Sequence, residues 1–284
     1  MRWEQVGVIT DEVSERFSEA LDWIAAQGLH NVELRMIDGK NISSLTNEEL
    51  QTVSRDIRSR GLLVSAIASP LFKCKLDPSR QTSHGDVFGH EEESPERHLE
   101  RLPRLIEMAQ TLDTSMIRVF SFWREKEPER YNEDIAAYLS RAAELAGRSR
   151  TTLLLENEGS CNCGTARETG EMADRVNSPW LRIVWDPGNE AYLGLRPFPD
   201  GYEAVKKRLA HVHLKDTRRS GDGRFRGAPI GRGVVPWKEQ FAALERDGYK
   251  GIYVIETHYK PDSGSIMDGS RESLEGLRQV LSSC

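Results

Sequence analysis

Short runs of apolar and β-branched residues alternate with longer segments of helical period, and the alternation repeats eight times along the chain. The runs are Val6 to Ile9, Asn31 to Leu34, Leu62 to Ala68, Met116 to Phe120, Thr152 to Leu155, Leu181 to Trp185, His211 to Leu214 and Ile252 to Ile255. Several are apolar at consecutive positions, the pattern of parallel strands covered on both faces. Between them the spacing predicts amphipathic helices. Ser14 to Gln27 places Phe17, Leu21, Ile24 and Ala25 on one face; Glu96 to Gln110 does the same with Leu99, Leu102, Ile106 and Ala109, and Asn132 to Ala146 with Ile135, Leu139, Ala142 and Leu145. The repeat predicts a closed (β/α)₈ TIM barrel. A doubly wound open sheet would show the same alternation, but no G-x-G-x-x-G follows the first strand.

At 284 residues the chain is within the size of one such barrel, and no stretch of linker composition interrupts the series, so residues 1–284 read as a single domain. A content of 38% hydrophobic and 30% charged residues supplies both a sizeable core and a solvated surface. The net charge of −6 offers no basic face for a phosphate backbone, which argues against nucleic acid as a partner. No segment has the length and apolarity of a membrane span, and the start, MRWEQVGVITDEVSERF, lacks a signal-peptide core, so a cytoplasmic protein is expected. The cysteines, Cys74, Cys161, Cys163 and Cys284, contain only one close pair and read as free thiols. A homo-oligomer is compatible with all of this. The polar stretches Lys73 to Glu93 and Arg218 to Val234 follow strands and read as loops, where a barrel carries its active-site loops.

In a barrel every strand delivers its C-terminal residues to one mouth. The last four strands end in Glu156 (LLLEN), Asp186 (IVWDPGN), His213 (HVHLKD) and Glu256 (YVIETHY). Carboxylates gathered at one rim repel one another unless a cation lies between them. Three carboxylates and one imidazole therefore predict one bound divalent metal ion: Mn²⁺ or Mg²⁺ by the oxygen-rich set, with Co²⁺ or Zn²⁺ as alternatives. Four protein ligands leave coordination positions for adjacent substrate oxygens, the arrangement for polarising a carbonyl beside a hydroxyl.

The segments LLLENEG, VWDPGN, HVHLKD and GYKGIYVIETHY, in this order, resemble the sugar phosphate isomerase/epimerase family of xylose-isomerase-like barrels. The resemblance spans essentially the whole chain. It implies Glu156, Asp186, His213 and Glu256 as metal ligands, with Glu156 and Glu256 also moving a proton on opposite faces of the substrate carbon. Arg219 stands where ketose epimerases place an arginine that binds substrate oxygens, and Asn189 stands where they carry a histidine. Lys215 matches a lysine that assists substrate binding in the family's dehydratases, and Glu158 occupies a position that is often histidine. His258 is a candidate for substrate contact or for orienting Glu256. Glu33 and Arg118 read as rim residues or partners in buried ion pairs, and Trp123 as a pocket wall or a loop aromatic packed on a helix. The Gly221 to Gly227 insertion reads as an ordinary mobile loop, with closure of its arginines over an anionic substrate as the alternative.

The expected function is isomerisation or epimerisation of a small sugar or sugar phosphate, by proton abstraction next to a carbonyl that the metal polarises. The alternative is dehydration of a keto-cyclitol or related hydroxy-ketone, of inosose or 3-dehydroshikimate type. An endonuclease-IV-like hydrolase would need more histidines than the seven present, and a non-catalytic barrel would have little use for the intact ligand set.

Overall fold

A computed structural model describes residues 1–283. Eight strands form a closed barrel: β1 (Val6–Ile9), β2 (Asn31–Leu34), β3 (Leu63–Leu71), β4 (Met116–Val119), β5 (Thr152–Glu156), β6 (Leu181–Trp185), β7 (Leu209–Leu214) and β8 (Ile252–Ile255). They follow chain order around the ring, each parallel to its neighbours. The ring closes where Val6, Gly7 and Val8 of β1 pair with Tyr253, Val254 and Ile255 of β8. Gly7 is required at this seam, because a Cβ there would lie 2.8 Å from both Cβ and carbonyl oxygen of Asn31 on β2.

The predicted strands are all present, with shifted ends. β3 runs on to Leu71, β5 takes in Glu156, which pairs with Val184, and β7 begins two residues early at Leu209. Backbone pairing, which is indifferent to side-chain polarity, carries these strands past their apolar runs. The three expected helices are found at Phe17–Ala26, Pro95–Thr111 and Asn132–Arg148. Others stand at Asn47–Ser59, Ala166–Val176, Trp237–Arg246 and Ile266–Ser282. Thr46, Ser94, Thr165 and Ser265 cap four of the helices by accepting a backbone N–H three residues ahead. Between β6 and β7 only short helices form, at Pro187–Tyr192, Pro197–Gly201 and Tyr202–Val205, with Pro197 and Pro199 interrupting the segment.

The expected loop at Arg218 to Val234 is instead largely a hairpin, with Asp216–Arg219 antiparallel to Phe225–Ala228. Asp216 ties it down by accepting N–H bonds from Gly231, Gly233 and Val235 and the indole N–H of Trp237. Among the described residues no helix is long and apolar enough to cross a membrane, and Cys74, Cys161 and Cys163 are buried free thiols.

Two-residue periodicity sorts each strand into two faces. Val6, Val8, Val32, Leu34, Leu153, Leu155, Val212, Leu214, Tyr253 and Ile255 pack outward in one apolar cluster with the helices. The intervening positions turn inward. There the apolar residues are few: Ala66, Leu154 and Val184 cluster with Met116 and Ala210 beside them, and Ile9, Ala68 and Val254 are buried nearby in the strands. The rest of the interior is polar and charged, and this positions the site.

One helix residue gives the shell a pH limit. His98 accepts the Phe72 N–H on Nδ1 at 3.0 Å, while its buried Nε2 has no partner. Burial pushes its pKa down to about 4 from 6.5. The folded state therefore resists a proton that the unfolded chain takes up, so stability is full above pH 6.5 and falls as the pH drops towards 4. The loss should reach on the order of 3 kcal/mol. Urea unfolding across this window should show that slope. His98→Asn retains an acceptor for Phe72 without titrating, and should flatten it; an unchanged slope in the variant would assign the acid sensitivity elsewhere.

Candidate active site

Glu156, Asp186, His213 and Glu256 meet at the C-terminal mouth, all buried, with one ligand atom from each within 4.8 Å of the others. His213 is the hub. Its Nδ1 lies 3.2 Å from Glu156 Oε1 and 3.2 Å from Glu256 Oε2, and its Nε2 faces Glu33 at 3.2 and 3.3 Å. Glu33 also contacts His211 Nε2 at 2.8 Å. Strand geometry explains the stacking: His211 and His213 are two apart on β7 and so face the same way. Glu33 thus holds the ring so that Nδ1 is the nitrogen offered to the carboxylate cluster.

Three cations offset these carboxylates. Lys215 lies 2.8 Å from Asp186 Oδ2, 2.9 Å from Glu256 Oε2 and 3.1 Å from Asn189 Oδ1. Arg118 stands 3.2 Å from Glu156 Oε2 and 3.7 Å from Glu256 Oε1. Arg35 donates to Asp11, Glu12 and Glu256 at 2.7 to 2.9 Å. Lys215 reaches its place only because residue 188 is glycine: a Cβ there would lie 2.5 Å from the Lys215 carbonyl and 2.7 Å from its Cβ and Cγ.

The balance of burial against charge differs at each group. Burial would raise Glu156 and Glu256, but Arg118 and His213 hold the first below the usual range, while Lys215, His213 and His258 hold the second well below it. At Asp186 burial wins over Lys215, and the carboxyl is pushed up to about 6. Burial would lower His213, yet Glu33, Glu256 and Glu156 raise it well above the ordinary histidine value. Asp186 Oδ2 and Glu256 Oε2 are buried and face the Lys215 ammonium. Three carboxylates converging with one imidazole nitrogen form a donor set suited to a divalent cation, so the residues fit such an ion.

Above the cluster opens a cavity of about 760 Å³, lined by Glu156, Glu256, Glu158, His258, Arg118 and Arg35 among others. Asp186, His213 and Lys215 are buried and do not line it. Glu158 is on the wall, its Oε1 bonded to Ser160. His258 stands at the rim with Nε2 3.3 Å from Glu12 and 3.5 Å from Glu256. Asn189 points away from the cavity, bridging Lys215 and the Asn157 carbonyl. Arg219 is not brought to the cluster; it is exposed on the hairpin, donating to the Gly223 carbonyl at 3.0 Å. Trp123 is buried against Phe120 and Cys161.

Sequence reasoning missed Arg35, Glu12, Asp11, Lys73 and Phe88. Arg35 was within reach, being two residues after Glu33 and therefore inward by the same alternation. Phe88 lies deep in a polar loop and left no signal.

A family model for the xylose isomerase-like TIM barrel matches residues 21–280, and the chain belongs to that family. It thereby joins enzymes of an epimerase/isomerase superfamily. L-ribulose-5-phosphate 3-epimerase UlaE of Shigella flexneri is 26% identical over 219 residues, 74% of each chain. Two solved structures share the fold over nearly their whole length. The probable 3-DHS dehydratase AsbF of Bacillus anthracis has a TM-score of 0.71 and 18% identity, covering 96% of this chain and 98% of that one. A xylose isomerase-like barrel of Mycobacterium smegmatis in complex with magnesium has a TM-score of 0.70 and 16% identity, covering 99% and 97%.

Removing Glu33 would leave the buried Nε2 atoms of His211 and His213 facing no carboxylate. Glu33→Ala should therefore lower the free energy of unfolding by about 3–5 kcal/mol in urea titrations. A loss below about 1 kcal/mol would mean that the Glu33 pair does not organise the interior.

Proposed function

We propose that the chain is a metal-dependent epimerase or isomerase of a small sugar or sugar phosphate, with Glu156 and Glu256 as the proton-transfer pair. One observation carries the reading: of the four clustered groups, only these two glutamates line the cavity. They rise from β5 and β8, three strands apart in a ring of eight, and so approach a bound substrate from different sides. Inversion at a carbon next to a carbonyl needs one carboxylate to take a proton and another to return one.

A divalent ion held by Glu156, Asp186, His213 and Glu256, Mn²⁺ or Mg²⁺ in preference to Co²⁺ or Zn²⁺, would polarise the substrate carbonyl and acidify the neighbouring C–H. The magnesium complex of the similar mycobacterial barrel supports such an ion. Arg118 keeps Glu156 ionised and ready to accept a proton, and Lys215 does the same for Glu256 from below. Glu33 fixes the His213 ring, and Asn189 steadies Lys215. Glu158 and His258 are placed to contact substrate hydroxyls on the wall and rim. The carbohydrate substrate is supported by the epimerase relative. Dehydration would begin with the same proton abstraction and differ in the product, which is the test between the two.

In heavy water with Mg²⁺, the enzyme should exchange the carbon-bound hydrogen beside the carbonyl of a ketose or ketose phosphate, read by NMR. Glu256→Gln and Glu156→Gln should each slow exchange by roughly 10²- to 10⁴-fold. An isomer of equal mass identifies the epimerase, and loss of water with new ultraviolet absorbance identifies the dehydratase. Exchange at the wild-type rate in either variant would remove that glutamate from the reaction.

Added Mn²⁺ or Mg²⁺ should also raise the melting temperature, and chelation should reverse the shift. Asp186→Asn should weaken this response while circular dichroism shows the barrel intact. An equal response in the variant would place the ion elsewhere.

A further inference from the structure

Four cations are buried in the barrel mouth, and three of them have protein oxygens within hydrogen-bond distance. Arg35 has three carboxylates, Lys215 two carboxylates and an amide, and Arg118 has Glu156 and the Ala68 carbonyl. Lys73 is the exception. It is 5% exposed and lines the cavity, yet it makes no hydrogen bond through its ammonium, and its nearest carboxylate oxygen, on Glu158, is 3.8 Å away.

Aromatic rings surround this ammonium. Its Nζ lies 4.5 Å from the centroid of Phe88, 4.6 Å from Phe120 and 5.7 Å from Trp123. Ring faces attract a cation but accept none of its N–H bonds in the way an oxygen does. A charge in a largely buried side chain that has no protein acceptor favours an anionic partner. At this distance Glu158 Oε2 is beyond hydrogen-bond reach of the ammonium, and Oε1 is held by Ser160. The open direction is the cavity.

We propose that Lys73 is the specificity-determining contact for an anionic terminus, phosphate or carboxylate, on the substrate. The inference rests on the proposed reaction for the position of the substrate's carbonyl end at Glu156 and Glu256. Lys73 is at a fitting remove from that end. Lys73 and Arg118 pack on the same Phe120 ring, at 4.6 and 4.9 Å from its centroid, and Arg118 in turn touches Glu156. A short sugar chain spans such a separation. Phe88, which also packs on Arg35 and Arg118, sits over these cations from the Lys73 to Glu93 segment. Binding an anion at Lys73 forms charge-assisted hydrogen bonds, which are stronger than neutral ones.

The test is equilibrium binding by calorimetry, in Mg²⁺-containing buffer, of three unreactive probes of similar length: a pentitol, a pentitol 5-phosphate and a pentonate. Wild-type protein should bind at least one of the two anions roughly 10- to 100-fold more tightly than the pentitol, the range expected for a charge-assisted contact. Lys73→Met keeps the volume and the packing against the rings but removes the charge. It should reduce that preference to within about threefold and leave pentitol binding unchanged. If the Met variant does not fold, Lys73→Gln makes the same comparison. The anion that shows the preference tells phosphate from carboxylate. No preference in the wild type, or one that survives in the variant, overturns the proposal. Loss of the preference together with failure of deuterium exchange would keep the Lys73 contact and sink the proposed reaction.

Discussion

Closing eight parallel strands into a ring sends every second side chain of every strand into one shared interior. In this barrel that space holds few apolar groups and many charged ones, so the limiting condition is that each buried charge must find an opposite charge or a hydrogen bond. Glu33, Glu156, Asp186 and Glu256 point in, and so do Arg35, Arg118, His211, His213 and Lys215. A lone member of this set would cost several kcal/mol. Together they form a connected network in which most members touch at least two others.

The network is layered. Glu33 with His211 and His213 lies deepest and sets the direction of the imidazole. The Glu156, Asp186 and Glu256 carboxylates come next, held apart from one another by His213, Lys215 and Arg118. Support then passes outward to groups with no charge: Asn189 bonds Lys215, Asn157 bonds the Asp186 backbone in both directions, and Gly188 leaves room for the Lys215 chain. Such a shell keeps the clustered carboxylates in fixed positions, as a preorganised site requires.

Above this level the design changes. The cavity wall is made by segments after the strands, where Phe88, Phe120, Lys73, Glu158 and His258 supply ring faces, a cation, a carboxylate and an imidazole. These are the positions at which barrels of one family differ in substrate while sharing a centre. The hairpin after β7 adds a rigid edge: a Cβ at residue 227 would lie 2.5 Å from the His258 carbonyl, so that glycine lets the hairpin pass close beside the rim.

The sequence by itself was enough for the barrel and for the meeting of Glu156, Asp186, His213 and Glu256, because strand periodicity is local and a strand's last residues have one destination. Lys215 and Glu158 were legible for the same reason, at two residues past a strand-end group, and Arg35 could have been. What the alternation cannot tell is which inward charges pair. Lys215 turning down to Asp186 and Glu256, Arg118 bridging Glu156 and Glu256, and Glu33 reaching His213 are contacts between residues far apart in the chain, decided by the relative stagger of different strands. Nor can it place residues beyond the strands. Arg219 sits on the solvent side because Asp216 and the residues after it fold into a hairpin, and Phe88 reaches the cavity from a loop with no periodicity to read. Alternation is a property of neighbours in sequence, whereas charge compensation and loop closure depend on neighbours in space.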